Sequence, residues 1–328
     1  MSKVYESITD LVGKTPLVHL KGFEKKNGLN ANVLGKLEYL NPTGSVKDRA
    51  ALRLILEAER EGKLKPGQTI VDNTSGNTGI SLAAFANARG YRYVCFLEPG
   101  VTEERTQVLK AYGAELYSFL DIPGFQEVVA KSGLSFVAIL DLVQKYADEH
   151  GYYYTNQCGN INNPLAHYYT TGPEIWEDTD GKVDYVIQLC GTGGTITGLT
   201  KFFKEKNEKI QIVGVQPAHG SRLGEEGVVD SIDGVAAFHG NDVPESLRSP
   251  FFKSVAGNYD EVIDISAAAS YEAAREVLLN DGVFPGQSAG AALAAAKIIA
   301  ARPEAAGKNI VVIIPDDGYK YLSTNLYK

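Results

Sequence analysis

The chain has 328 residues, of which 44% are hydrophobic and 22% are charged, and its formal net charge is −8 at pH 7. A chain of this length predicts two globular domains rather than one ordinary core. The acidic balance provides no basic stripe, which argues against a nucleic-acid partner. No run approaches about 18 apolar residues, so no membrane-spanning segment is expected.

The cysteines and the start of the chain bear on the cellular compartment. Cys95, Cys158 and Cys190 are an odd number and form no CxxC pair, which favours reduced thiols in a cytoplasm over a disulfide framework or a zinc site. The five histidines lack ligand spacing, so no metal is expected. The first residues lack the basic start and apolar run of a signal peptide. We therefore expect a cytoplasmic protein.

Short β-rich runs alternate with helical patterns along the chain. Strands are predicted at 33–36, 69–72, 93–97, 115–118, 152–155, 185–189, 210–215 and 310–314. Helices are predicted at 46–61, 80–89, 103–112, 168–177, 271–279 and in the alanine-rich run 289–301, and the stretch 121–150 predicts two helices with a loop. This alternation indicates an α/β fold with mostly parallel sheets covered on both faces, and such sheets bind ligands beyond the carboxyl ends of their strands.

The same alternation predicts two intertwined α/β domains. The larger domain is discontinuous and consists of residues 1–45 plus 151–328. Residues 46–150 form a smaller, inserted and mobile domain. No change in composition and no Pro/Ser-rich linker marks either border, so these boundaries rest on the predicted elements alone.

The segment 41–49, with the sequence NPTGSVKDR, places Lys47 in the first turn of a predicted helix. Ser45 and Asp48 have the spacing of a capping box. The positive end of the helix dipole disfavours an ammonium group and lowers the pKa of a lysine there. A lysine that attacks an aldehyde needs such help. The alternative is a solvated lysine on a helix surface.

Two polar turns between a strand and a helix predict anion-binding sites. The first turn comprises Gly191, Thr192, Gly193, Gly194 and Thr195, whose backbone amides and hydroxyls suit a phosphate at a helix start. It matches neither a Walker loop nor GxGxxG, and a purely structural tight turn is the alternative. The second turn, 74–79 with the sequence TSGNTG, suits a second phosphate or an amino-acid carboxylate. For this turn, the alternative is a helix cap without a ligand.

Ser288 precedes the alanine-rich helix and has two interpretations. Its hydroxyl can cap that helix, or it can bond a heterocyclic nitrogen. A reactive lysine, a phosphate cup, a carboxylate cradle and such a hydroxyl together match pyridoxal 5′-phosphate (PLP), which carries an aldehyde, a phosphate and a pyridine ring.

With these motifs in place, the chain resembles the cysteine synthase (O-acetylserine sulfhydrylase) and cystathionine β-synthase family. The resemblance covers nearly the whole chain. It includes the segments 13–18, 36–38, 163–167, 170–176 and 321–324 together with Pro315. It implies PLP enzyme fold type II, similar to tryptophan synthase β, with two three-layer α/β domains.

The resemblance also assigns roles to single residues. It implies that Lys47 carries the cofactor covalently, that Asn77 bonds the 3′-oxygen of the cofactor, and that Ser288 bonds the pyridine nitrogen. The phosphate is implied to lie on the turn 191–195. The residues implied to bind the substrate carboxylate are Thr74, Ser75, Thr78 and Gln157.

The implied reaction is β-replacement through an α-aminoacrylate. A serine is a poor acid, so the pyridine nitrogen stays largely unprotonated, which disfavours long-lived carbanions and favours loss of a β-leaving group. Addition of sulfide to an O-acetylserine-derived aminoacrylate gives cysteine. The alternative is an enzyme that uses serine, phosphoserine or cysteine and forms cystathionine, lanthionine or hydrogen sulfide. A silent homologue that only binds a partner is a third hypothesis, against which the intact motifs count.

Asp233 departs from the family pattern, because cysteine synthases usually carry an uncharged residue before this loop glycine. We expect Asp233 to contact the substrate amine or to act as base for the nucleophile. A solvated loop aspartate is the alternative. The resemblance further implies a homodimer and allows binding of a serine acetyltransferase tail, which the altered loop puts in doubt.

Overall fold

The structure, a computed structural model, describes residues 4–74, 76–98, 100–132, 136–240, 243, 249–251 and 259–328. These residues form two separate sheets flanked by helices. In these ranges, no helix combines the length and the apolar character that crossing a membrane requires.

The larger sheet has six strands in the order β1-β2-β10-β7-β8-β9. All neighbouring pairs are parallel except β1 with β2. The smaller sheet has four parallel strands in the order β5-β4-β3-β6. In chain order the strands are β1 Leu17–His19, β2 Asn32–Leu37, β3 Thr69–Thr74, β4 Arg92–Leu97, β5 Glu115–Ser118, β6 Tyr153–Tyr154, β7 Tyr185–Leu189, β8 Gln211–Pro217, β9 Glu261–Ile265 and β10 Asn309–Ile314.

The helices lie on both faces of these sheets. They are α1 Lys21–Asn27, α2 Lys47–Arg60, α3 Asn77–Arg89, α4 Glu103–Ala111, α5 Phe125–Ser132, α6 Phe136–His150, α7 Asn162–Ala166, α8 Gly172–Asp178, α9 Gly194–Lys206, α10 Ala267–Asp281 and α11 Gln287–Ala300. Short 3₁₀ turns occur at Ile8–Leu11, Glu38–Leu40, Phe119–Asp121, Pro303–Ala305 and Gly318–Tyr321, and a π-helical turn, His167–Thr171, joins α7 to α8.

Alternation along the strands builds a three-layer arrangement around each sheet. In β10, Ile310 and Val312 belong to the core beneath α10 and α11, whereas Val311 and Ile313 belong to the core beneath α8 and α9. The smaller sheet divides in the same way, with α2 and α3 on one face and α6 on the other. Because successive side chains of a strand point to opposite faces, each sheet is buried on both sides. The predicted fold class of two three-layer α/β units is confirmed.

Most predicted elements are present, and the differences have physical causes. Strands were predicted at 115–118 and 185–189 and occur at these residues, and the stretch 121–150 forms two helices. Strands β1 and β9 and helix α1 were not predicted. The helix predicted at 168–177 instead passes through the π-helical turn before α8. Pro173 in this helix has no amide hydrogen for an i→i−4 bond, which favours such an irregularity.

The domain boundaries stay a prediction. The four-stranded sheet takes its strands from residues 69–154, and the six-stranded sheet takes its strands from 17–37 and 185–314.

The predicted capping box of α2 is wrong. The residue before the helix is Val46, and no side chain caps it. The Asp48 carboxylate instead accepts hydrogen bonds from the Thr43 amide at 2.7 Å and from the Ser81 hydroxyl at 2.6 Å. Ser45 forms a β-bridge with Asp316. The Asp48 carboxylate therefore bonds the preceding turn and α3, while the Ser45 hydroxyl accepts from the Lys47 amide at 3.3 Å.

Arg49 anchors the first turn of α2 from below. Its guanidinium group is buried and donates to Glu38 at 2.7 Å and to Glu174 at 2.7 Å. The Lys36 amine lies 3.0 Å from the same Glu174. Since α2 begins at Lys47, this ion-pair cluster fixes the position of that lysine.

We expect Arg49→Met to destabilise the protein strongly, because it leaves the buried Glu38 without its cation and leaves Glu174 with the Lys36 amine alone. The expected loss in the free energy of unfolding is about 3–5 kcal/mol, measured by urea denaturation. Arg53→Met is the matched control one turn later, where the arginine is part-exposed and pairs with Glu57 at 3.4 Å. The control should cost about 1 kcal/mol or less. Equal losses in the two variants would contradict the anchoring role.

Candidate active site

A cavity of about 440 Å³ lies between the two sheets. Its walls include the carboxyl ends of β7, β8 and β10 and the first turn of α3, which follows β3. This is the position expected for a ligand site in parallel α/β sheets.

Most of the residues predicted from the sequence line this cavity. Those on its wall are Lys47, Asn77, Thr78, Gln157, Gly191, Thr192, Gly193, Thr195 and Ser288. Gly194, Thr74 and Asp233 do not line it. Gly194 and Asp233 are next in the chain to the lining residues Gly193 and Gly234, and the Thr74 carbonyl accepts from the amide of the lining residue Glu98. Ser75 lies outside the described residues.

The Lys47 amine faces the cavity from the start of α2. Burial lowers the pKa of Lys47, and the negative charge of Asp316 and the thiols of Cys158 and Cys190 oppose this shift. The direction agrees with the sequence prediction, but the main cause is loss of water rather than the helix dipole. A larger fraction of free amine follows, which is the nucleophilic form.

The glycine-rich turn joins β7 to α9. Gly193 precedes the helix with a φ of 88°, a left-handed conformation that glycine adopts without strain. The first backbone amides of α9 have no partner within the helix, so they are available to an anion. The hydroxyls of Thr192 and Thr195 lie on the cavity wall beside them.

Gln157 and Thr78, two of the residues predicted to bind the substrate carboxylate, are hydrogen-bonded to each other. The Thr78 hydroxyl donates to Gln157 Oε1 at 2.5 Å, and Gln157 Nε2 donates to the Asn73 carbonyl at 2.8 Å. Asp72 holds this segment from behind, because its carboxylate accepts from the Gln157 amide at 3.3 Å and from the Thr155 hydroxyl. The buried Asp72 therefore supports the cradle without lining the cavity.

Ser288 lies at the second position of α11 and lines the cavity. Gly286 is the residue that precedes the helix, and no side chain caps it. The capping interpretation of Ser288 is therefore wrong.

Sequence reasoning missed a polar cluster on the opposite wall. Asp316 accepts from Asn77 Nδ2 at 2.7 Å and from the Tyr321 hydroxyl at 2.6 Å. The Arg105 guanidinium lies over the Tyr321 ring, 4.6 Å from its centroid. Arg105, Asp316 and Tyr321 line the cavity. The available signal was the position of Asp316 two residues after the last strand, where parallel sheets place ligand-binding groups.

Asp233 pairs with Arg105 behind this wall. Its carboxylate accepts from Arg105 at 3.2 Å and from the Ser231 hydroxyl at 3.2 Å. Burial raises the pKa of Asp233, whereas Arg105 lowers it. The pair joins α4, which flanks the smaller sheet, to the loop after β8.

The cavity matches the chemistry of pyridoxal phosphate. An amine with a lowered pKa, an anion cup at a helix start and a serine hydroxyl surround one space. Two buried acceptor atoms at its edge, Asn77 Oδ1 and Asp316 Oδ1, have no hydrogen-bond partner in the part of the chain that the structure describes. Buried polar atoms are rarely left unpaired, so these atoms indicate a polar ligand.

A sequence profile of the family described as pyridoxal-phosphate dependent enzyme matches residues 8–316. The chain belongs to this family of enzymes, and its cofactor is pyridoxal phosphate. The cofactor predicted from the sequence is thereby confirmed.

Individual relatives narrow the similarity further. A cysteine synthase of Staphylococcus aureus is 38% identical over 327 residues, which cover 99% of this chain and 98% of the relative. Cysteine synthase B of Escherichia coli K12 is 38% identical over 322 residues, which cover 98% and 96%.

Solved structures of two relatives share the fold. O-ureido-L-serine synthase superposes with a TM-score of 0.81 at 33% identity, covering 99% of this chain and 95% of that one. Cysteine synthase from Entamoeba histolytica gives a TM-score of 0.81 at 36% identity, covering 99% and 91%. The predicted family and its fold type II are confirmed.

Asp72 gives the site a testable pH signature. Burial raises the pKa of Asp72 to about 7, although hydrogen bonds from Thr155, Asn73 and Gln157 lower it, and Glu98 adds to the rise. Between about pH 4 and pH 7, the folded protein therefore holds a proton that the unfolded chain has released. The stability associated with this proton is present below about pH 4 and is lost as the pH rises to about 7, by on the order of 4 kcal/mol.

The variant Asp72→Asn should remove this contribution. We expect a smaller fall in the free energy of unfolding between pH 4 and pH 7 than in the wild type, measured by urea denaturation. Asp148→Asn, at an exposed acid on α6, is the control and should keep the wild-type slope. A wild-type slope in Asp72→Asn would exclude the raised pKa.

Proposed function

We propose that the protein catalyses β-replacement on an amino acid, with cysteine formation from O-acetylserine and sulfide as the leading reaction. The observation that carries this proposal is the convergence of Lys47, the 191–195 turn, Ser288 and the Thr78–Gln157 cradle on one cavity. The full-length similarity to cysteine synthases supports it. Bound pyridoxal phosphate supplies an electron sink for the bonds at the substrate Cα.

The residues of this chain divide the remaining work. Lys47 would hold the cofactor through its ε-nitrogen and would accept the proton from the substrate Cα as a general base. The turn 191–195 holds the phosphate, Asn77 the 3′-oxygen, and Ser288 the pyridine nitrogen. The substrate carboxylate binds to Thr74, Ser75, Thr78 and Gln157.

A serine at the pyridine nitrogen decides the type of reaction. Its hydroxyl is a poor acid and does not stabilise a protonated ring, which weakens the electron sink. A serine at this position would therefore favour departure of a β-leaving group over transamination or racemisation. The nucleophile enters the same cavity and bonds to Cβ.

The alternative function differs only in the donor and the nucleophile. Glu98, Arg105 and Arg222 line the cavity in addition to the groups already assigned. Charged walls favour donors or nucleophiles that carry charge, such as phosphoserine, cysteine or homocysteine. These would give cystathionine, lanthionine or hydrogen sulfide.

The finer biological setting follows from the same proposal. We infer a cytoplasmic homodimer that takes small amino-acid and thiol or sulfide substrates. The tail of serine acetyltransferase would compete with substrate for the cavity. The acidic Asp233 beside the cavity wall argues against binding of this tail.

The decisive experiment offers the holoenzyme O-acetylserine, serine, phosphoserine or cysteine with sulfide, homocysteine or no nucleophile, and identifies products by mass. We expect cysteine from O-acetylserine and sulfide as the fastest reaction. Lys47→Ala should lose at least about 100-fold in rate, since it lacks the base. Borohydride treatment should fix the cofactor mass on the wild type but not on this variant.

Lys201→Ala, at an exposed lysine of α9, serves as the control and should behave as the wild type. The absence of product from every pair would leave a binding protein rather than an enzyme and would refute the proposal.

Asp233 can assist the nucleophile directly or can act by holding Arg105. We expect the second, because its carboxylate bonds Arg105 and does not line the cavity. We test this with a double-mutant cycle of Asp233→Asn and Arg105→Gln. The kcat/KM of the double variant should be at least as high as that of the less active single variant. The expected coupling energy is about 1–3 kcal/mol. Independent, multiplying losses would instead assign Asp233 a direct role.

A further inference from the structure

Two buried side chains from the α7 region contact the hydroxyls of the glycine-rich turn. Asn163, at 2% exposure, donates from Nδ2 to the Thr192 hydroxyl oxygen at 3.0 Å and to the Gln157 carbonyl at 2.7 Å. The Gly194 amide donates to the same Thr192 oxygen at 3.3 Å. Both acceptor positions of the Thr192 hydroxyl are therefore filled, so its single proton is left to donate elsewhere.

His167 makes the corresponding contact with the second hydroxyl. Its Nε2 lies 3.2 Å from Thr195 Oγ1, and its Nδ1 lies 3.0 Å from Thr171 Oγ1. Burial lowers the pKa of His167 well below its usual value, with Arg49 and Lys47 acting in the same direction and Glu174 opposing them. The imidazole is thus neutral, with one nitrogen donating and the other accepting.

The demands of a phosphate select one of the two tautomers. A phosphate dianion only accepts hydrogen bonds, so Thr195 must donate its proton to it. Thr195 then accepts from Nε2–H of His167, and Nδ1 of His167 accepts from the Thr171 hydroxyl. The opposite tautomer would draw the Thr195 proton toward the ring.

Missing side chains allow these contacts. A Cβ at Gly194 would lie 2.1 Å from Asn163 Oδ1. A Cβ at Gly198, one turn later in α9, would lie 2.2 Å from the Pro164 carbonyl and 3.0 Å from the His167 Cβ. These two glycines let α7 and the π-helical turn lie directly against α9, which places Asn163 and His167 under the glycine-rich turn.

We propose that Asn163 and His167 are positioning residues that set the hydroxyls of Thr192 and Thr195 as donors to the cofactor phosphate, with His167 in the Nε2–H form. This inference rests on the proposed assignment of the turn 191–195 as the phosphate site. Neither residue lines the cavity, so both act through a threonine.

The test compares two variants of His167. The amide nitrogen of His167→Gln reaches the place of Nε2 and keeps the donor to Thr195, whereas the shorter His167→Asn loses it. We expect His167→Asn to release the cofactor on dilution with a Kd raised roughly 10- to 100-fold, and His167→Gln to stay within about threefold of the wild type. The ³¹P resonance of the bound phosphate should shift in His167→Asn. Circular dichroism checks that both variants fold.

A measurement on the wild type keeps the proposal testable if the variants do not fold. Histidine-selective ¹⁵N spectra of the holoenzyme should show one buried ring protonated at Nε2, assigned by its loss in His167→Gln or, failing that, by its insensitivity to pH. A ring protonated at Nδ1, or equal cofactor affinity in both variants, overturns the inference. A wild type that binds no cofactor refutes the proposed function itself, which separates the two failures.

Discussion

The buried amine of Lys47 lies where the two sheets meet, and the surrounding residues must hold it in place while keeping it unpaired. Two basic side chains, Lys47 and Arg49, lie in the first turn of α2, and their surroundings differ. Arg49 has two carboxylates within 2.7 Å, so it stays charged and fixes the helix. Lys47 has no carboxylate within ion-pair distance among the described residues, and burial lowers its pKa. One turn thus combines a rigid support with a reactive nitrogen.

The surrounding polar groups follow from the topology of the sheets. Within each sheet the parallel strands end on the same edge, and residues after β3 of the smaller sheet and after β7 and β10 of the larger sheet line the cavity together with Lys47. Each turn then leads into a helix or a polar cluster that leaves donors or acceptors at the cavity. Polar groups therefore lie on the cavity wall where the strand ends meet.

Local patterns explain what the sequence could predict. The β7 strand, the turn 191–195 and the position of Lys47 are each encoded within about ten residues, and the structure has them where they were expected. The predicted capping box of α2 is wrong because the Asp48 carboxylate accepts hydrogen bonds from Thr43 and Ser81 instead. Partners that lie far away in the sequence, such as Asp316 for Asn77, have no local signal. The π-helical turn that carries His167 has a local contribution from Pro173 and also packs against α9.

Asp233 illustrates how a departure from a family pattern acquires meaning only in three dimensions. In the sequence it is an acid in a loop, and its chemistry suggests a base or a contact to an amine. In the fold, Arg105 of α4, which flanks the smaller sheet, pairs with Asp233. The Arg105 guanidinium also lies over the Tyr321 ring. Tyr321 in turn donates to Asp316, and Asp316 accepts from Asn77. Asp233 is therefore connected to the predicted cofactor site by a continuous series of contacts. That series connects the loop that carries Asp233 with Asn77, the residue predicted to bond the 3′-oxygen of the cofactor.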